Sequence, residues 1–281
     1  MISFDFEYYK PSTADEAVRL FRQADADGKG ALYYSGGTEI ISMARLNQLR
    51  TGAVIDIKGI PECNVMELRE EQLVLGSALT LTALSERNVF PLLGETVRGL
   101  ASHTNRNKIT LGGNLCGKFI YREALLPFLL ADGEAVLTGP SGRRRLPLHQ
   151  ILNGEPRLQR GELLVQVMCG SRYLQMPFVT IKKTKLEKID YPIVRIAGLR
   201  SEGGVRMAFS GVSAVPFRSG RLEEVLNDGS FSLEERIERA IRLWPVPILN
   251  DTLSSSAYRT FVLRNTLADA MTMLERRGNA L

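Results

Sequence analysis

"GGNLCGKF", residues 112–119, is one substitution away from a nucleotide-triphosphate loop. Gly112, four intervening residues, Gly117 and Lys118 satisfy G-x-x-x-x-G-K, but the next position is Phe119 where Ser or Thr is needed. That hydroxyl holds Mg²⁺ in such loops, and a phenyl ring cannot replace it. The double glycine therefore has to serve another purpose. A second one lies upstream, in Ser35-Gly36-Gly37-Thr38, directly after the apolar run 31–34. The dinucleotide pattern G-x-G-x-x-G fails as well: Gly28-x-Gly30-x-x-Tyr33 precedes a strand rather than following one, and its third glycine is missing. What remains is two similar turns. Each can place successive backbone N–H groups around one anion, with Thr and Asn side chains as further donors.

The surrounding pattern sets these turns in an α+β chain. Thr13 and Glu16 read as a capping box before Ala14, Ala17, Val18, Phe21 and Ala24, which recur at helical spacing. Residues 31–34 and 53–57 read as buried strands, with a helix over 40–46 between them. A hairpin is predicted at 65–68 and 73–75. Residues 80–102 read as helical in two pieces broken near Pro91, 124–130 as an apolar helix, and 134–169 as short strands. From Phe178 the pattern changes to strands at 178–181, 193–199 and 205–209, followed by three helices, the last over 254–276. Strands followed by helices suggest a separate unit. The expected division is 1–176, itself split near 57, and a C-terminal α+β domain of antiparallel strands and helices over 177–281.

Composition excludes several classes. The chain has 281 residues, 44% hydrophobic and 24% charged, which are ordinary values for a soluble globular protein. No apolar run approaches the length of a bilayer span, and residues 1–7 lack the features of a secretory signal, so a cytoplasmic protein is expected. Cys63, Cys116 and Cys169 stand far apart with no C-x-x-C, which argues against a metal or iron–sulfur site in this chain. The formal net charge is +5. Its densest run, Arg143-Arg144-Arg145, follows a Gly-Pro-Ser-Gly turn and reads as a solvated edge strand. Aromatics do not interleave with it, so no nucleic-acid platform is indicated. His103 and His149 read as structural.

Taken together, these residues resemble the FAD-binding (medium) subunit of the molybdenum hydroxylases, the family of xanthine dehydrogenase and aerobic carbon monoxide dehydrogenase. That family's first flavin loop, A-G-G-T-[DE], is matched by Ser35-Gly36-Gly37-Thr38-Glu39. Its second, R-N-x-x-T-I-G-G-N, is matched by residues 106–114. Val54-Ile55-Asp56-Ile57, Leu75-Gly76-Ser77-Ala78, Gly161-Glu162-Leu163-Leu164, the Lys182 and Asp190 pair, and Ala257-Tyr258-Arg259 resemble further signatures. The resemblance implies a two-part vanillyl-alcohol-oxidase-type FAD domain rather than a Rossmann fold. It implies FAD contacts at Tyr33, Tyr34, Ser35, Gly36, Gly37, Thr38, Glu39 and Ile40, and at Thr110, Leu111, Gly112, Gly113 and Asn114. It adds Leu100, Leu164, Lys182 and Asp190. After G-G-N the family shows A-S-P-x-[SA]-D, whose Asp contacts FAD; here Glu123 takes that position and the Ser-Pro pair is lost. The competing reading of Glu123 is a solvated carboxylate at a helix N-terminus.

The resemblance further implies partners. Reducing equivalents would arise at a molybdenum cofactor on a large subunit and cross 2Fe-2S clusters on a small subunit. FAD on this chain would pass them to NAD or another acceptor. No catalytic acid or base is then required here. The alternative is a non-catalytic scaffold subunit that has lost FAD.

Overall fold

Three sheets, each with its own helices, follow one another along the chain. The computed structural model describes residues 2–187 and 189–278. The first sheet contains β1 (Glu7–Tyr9), β2 (Leu32–Tyr34) and β3 (Ala53–Asp56), in the order β1-β3-β2. Both outer strands run parallel to β3. Parallel neighbours need crossovers, and α1 (Ala14–Ala26) and α2 (Thr38–Arg45) supply them. The five apolar positions read from the spacing of α1 are its buried residues. Thr13 caps it, its Oγ1 accepting from the Glu16 N–H at 3.1 Å. The Glu16 carboxylate, however, accepts from the Ser12 N–H at 2.8 Å, so the capping box closes one residue early. β1 was not foreseen: three residues with Tyr8 exposed are too short to show a period.

The second sheet is antiparallel, ordered β4-β5-β8-β6-β7 from β4 (Met66–Arg69), β5 (Gln72–Gly76), β6 (Glu134–Gly139), β7 (Gly142–Pro147) and β8 (Leu163–Gly170). Between β5 and β6 lie α3 (Leu81–Arg87), α4 (Pro91–Arg98), α5 (His103–Arg106), α6 (Leu111–Cys116) and α7 (Leu125–Leu130). Pro91 opens α4, where its missing N–H has no intrahelical partner to lose. All six residues of α7 are buried, each Leu side chain contributing about 1.5–3 kcal/mol. β7 is an edge strand, as expected of the arginine run. Arg143 and Arg144 pair with Glu62 and Glu162, each at 2.6 Å, and Arg145 pairs with Glu134. A short helix, α8 (Leu148–Ile151), was not foreseen.

The third sheet is antiparallel, ordered β12-β11-β10-β9, from β9 (Phe178–Thr184), β10 (Pro192–Ser201), β11 (Gly204–Ser210) and β12 (Phe217–Arg218). Helices α9 (Gly220–Leu226), α10 (Leu233–Arg242) and α11 (Ser256–Gly278) complete its core. Arg259, fully buried near the start of α11, donates to the Ile193 and Gly211 carbonyls and pairs with Asp251 at 2.8 Å. That contact anchors the Ala257-Tyr258-Arg259 motif to the sheet. Ala197, Leu199 and Ala208 join the apolar cluster of α7, so the third sheet rests directly on the second layer. Among the described residues no helix is long and apolar enough to cross a membrane.

Candidate functional site

The two double-glycine segments meet. A Cβ on Gly36 would overlap the carbonyl oxygen of Lys108, so the two backbones touch there only because residue 36 has no side chain. The segments nevertheless differ in kind. Gly37 has φ +71° and stands before α2 as its cap, with no side-chain hydrogen bond to the helix. The N–H groups of Thr38, Glu39 and Ile40 find no acceptor among the described residues. Such a helix start favours an anion. Beside it the Ser35 hydroxyl oxygen is buried without a partner. Lys58 closes this corner: its Nζ donates to the Ser35 carbonyl at 3.0 Å, pairs with Asp56 at 2.7 Å and lies 4.3 Å from the Tyr34 ring centre.

The second segment is not the open turn expected of it. Gly112 and Gly113 lie inside α6, and neither has a positive φ. Leu111 and Gly112 donate to the Leu79 and Ser77 carbonyls at 2.8 Å, Asn114 donates to the Thr110 carbonyl at 2.9 Å, and Gly113 makes a long contact with Thr110 Oγ1. The free-donor reading is therefore corrected for residues 111–114. Gly112 serves clearance: a Cβ there would lie 2.7 Å from that of Ser77. Asn114 uses its side-chain oxygen to hold the Ala124 N–H at 3.1 Å. Leu164 is buried in β8, and Ser77 ties the adjacent Val165 carbonyl to α6. Tyr33 stacks on Phe21 at 4.8 Å and donates to the Gly161 carbonyl at 2.8 Å, just before β8.

A second cluster lies at the junction with the third sheet. Lys182 Nζ donates to the Gly99 carbonyl at 2.9 Å, beside Leu100, whose own carbonyl accepts from Arg106. Glu123 is buried and pairs with Arg195, so the solvated-carboxylate reading is corrected. Burial pushes the Glu123 carboxyl above its usual value, against the pull of Arg195 and Lys182. Burial likewise lowers the Lys182 ammonium and the Arg195 guanidinium. Asp190 lies on the β9–β10 connection, its carboxylate accepting from the Tyr191 N–H at 2.7 Å and its charge acting on the Lys182 ammonium.

Sequence reasoning missed Arg195, although a lone charge in the apolar run 193–197 signals a buried partner. It also missed an aromatic group: Tyr121 stacks on Tyr191 at 4.5 Å, with Phe119 6.3 Å from the same ring. Those residues come from separate segments, and no spacing connects them.

These features suit an extended, phosphate-bearing ligand: glycines at close backbone approaches, an unsatisfied helix start and an unpartnered hydroxyl. They fit the diphosphate of FAD. The site is neither a P-loop nor a Rossmann turn: the turn after α6 carries no phosphate-loop hydroxyl, and Gly37 opens α2 without the G-x-G-x-x-G pattern. The chain belongs to the family described as the FAD binding domain in molybdopterin dehydrogenase, which matches residues 4–169. It is 29% identical over 170 residues to the xanthine dehydrogenase FAD-binding subunit of Escherichia coli O157:H7, covering 58% of this chain and 57% of that one. It is 26% identical over 235 residues to the carbon monoxide dehydrogenase medium chain of Hydrogenophaga pseudoflava, covering 78% of each. In structure it resembles carbon monoxide dehydrogenase from Hydrogenophaga pseudoflava, with TM-score 0.88, 23% identity and 99% of each chain covered. The α+β expectation thus agrees with a mixed fold shared with that enzyme.

Proposed function

We propose that this chain is the FAD-carrying electron-transfer subunit of a molybdenum hydroxylase. The observation that carries the reading is the unsatisfied start of α2, with Gly37 at positive φ, pressed against the second glycine segment. The N–H groups of residues 38–40 and the Ser35 hydroxyl would hold the diphosphate. Gly36 and Gly112 would let the segments around the site approach closely, and Gly113 would leave open space beside α6. Leu100 and Lys182 would line the flavin end, Leu164 the start of β8, and Asp190 and Glu123 its surroundings. FAD, when bound, supplies hydride and single-electron exchange; the protein positions it. A large subunit with a molybdenum cofactor and a small subunit with 2Fe-2S clusters complete the proposal, with NAD as the acceptor and the cytoplasm as the site of action. The proposed division places one unit at 1–176, split near 57, and another at 177–281.

The test is a titration of FAD into the purified chain, followed by denaturation. Stoichiometric binding, with flavin released into the supernatant, is the expected result. A chain that stays colourless in excess FAD sinks the reading and leaves a scaffold subunit in its place.

A further inference from the structure

The GKF turn that resembles a phosphate loop does bind an anion. That anion belongs to the chain itself. Glu39, near the start of α2, extends its carboxylate to the turn after α6. Its Oε1 accepts from the Lys118 N–H at 2.9 Å, while Oε2 accepts from the same N–H at 3.1 Å and from the Phe119 N–H at 3.4 Å. Gly117 is fitted to this contact and to α6: a Cβ there would lie 2.8 Å from Glu39 Oε2 and 2.9 Å from the Gly113 carbonyl oxygen. Its own φ is −63°, so clearance rather than backbone freedom accounts for glycine. Lys118 contributes its backbone, and its side chain is outside the contact.

We propose that the Glu39 side chain is a latch: its carboxylate fastens α2 to the 117–119 turn and so fixes the gap between the two glycine segments, rather than contacting FAD itself. The proposal rests on the FAD reading for its purpose, but its contacts stand without any cofactor. Gly36 against Lys108 joins the segments at one end, and Glu39 against Lys118 joins them at the other. With both joints closed, the free N–H groups of α2 keep a fixed direction before any ligand arrives. Preorganisation of this kind raises affinity by reducing the ordering required on binding.

The test compares wild type, Glu39→Ala, Glu39→Gln and Gly117→Ala, each as the full chain. Amide hydrogen exchange over 116–120 is measured without FAD, and FAD is then titrated. In Glu39→Ala the Lys118 and Phe119 amides should exchange at least about tenfold faster, with FAD affinity lowered by about tenfold, as loss of a charge-assisted hydrogen bond implies. Glu39→Gln keeps one acceptor oxygen and should fall between. Gly117→Ala should reproduce Glu39→Ala although the carboxylate remains, because the methyl crowds both the carboxylate and the Gly113 carbonyl. Unchanged exchange in Glu39→Ala overturns the latch. So does normal FAD affinity in Gly117→Ala beside weak affinity in Glu39→Ala, which would make the Glu39 carboxylate a direct ligand. Failure of wild type to take up FAD would overturn the flavin reading instead, while the exchange comparison still decides the latch.

Discussion

Glu123 Oε2 lies 3.3 Å from Arg195 Nε, and the two side chains are only 1% and 3% exposed. The opposite charges attract, but these two atoms make no hydrogen bond, so burial is only partly compensated. Arg195 also donates to the Thr96 carbonyl at 2.9 Å, which fastens β10 to α4. Removing one partner from a buried pair leaves an uncompensated charge, at about 3–5 kcal/mol. Glu123→Ala should therefore lower stability by that order before any effect on flavin. Glu123→Ala with Arg195→Met should recover most of the loss. Denaturant unfolding of both single variants and the double variant measures the coupling. Additive losses would show that the pair contributes nothing as a pair.

The glycines separate by role. Gly37→Val combines a strained φ with a Cβ 2.5 Å from the Tyr34 ring, and should cost both stability and flavin. Gly113→Ala faces only Thr110 Oγ1 at 3.0 Å and should fold with a melting temperature near wild type. Flavin lost from a well-folded Gly113→Ala would mean that the cofactor itself fills the space at residue 113. Flavin content and melting temperature, measured together, distinguish these outcomes.

Asp56 gives a pH dependence with a defined sign. Burial raises its carboxyl, but hydrogen bonds from Lys58 and Tyr8 outweigh that and hold it below the usual 3.8. A depressed acid contributes stability above its unfolded value, and that stability is lost as pH falls through the folded value. Asp56→Asn should cost about 1.5–3 kcal/mol near neutral pH, with the gap to wild type closing below about pH 4. Urea melts at neutral and acid pH check this. A gap that persists in acid would rule out the charge as its source.

Burial pushes the thiols of Cys63, Cys116 and Cys169 up to about 11, 12 and 12. Thiolates are the reactive form. Native protein at neutral pH should therefore react with iodoacetamide far more slowly than unfolded protein at all three positions. Rapid labelling of any one would place that cysteine in an accessible, activated setting.

Much of the fold was legible because its signals are local. The buried face of α1 follows from spacing, and the break before α4 follows from Pro91. Strand direction was not legible, since the parallel pairing of β1 and β2 with β3 is decided by crossovers. The site was half legible. The paired glycine segments were found, but Gly37 is there for its φ, whereas Gly36, Gly112 and Gly117 are there for clearance. A sequence shows a glycine and not what presses against it. Glu123 shows the same limit, because its partner lies on β10, far along the chain.

The junction between α7 and the third sheet has a consequence for synthesis. Every side chain of α7 is buried, partly against Ala197, Leu199 and Ala208. Translation delivers α7 long before β10 and β11. A nascent chain stopped anywhere between residues 131 and 208 carries at least one side of that apolar helix uncovered. Ribosome-bound intermediates of those lengths are the ones that chaperones should grip, and release should follow once β11 has emerged.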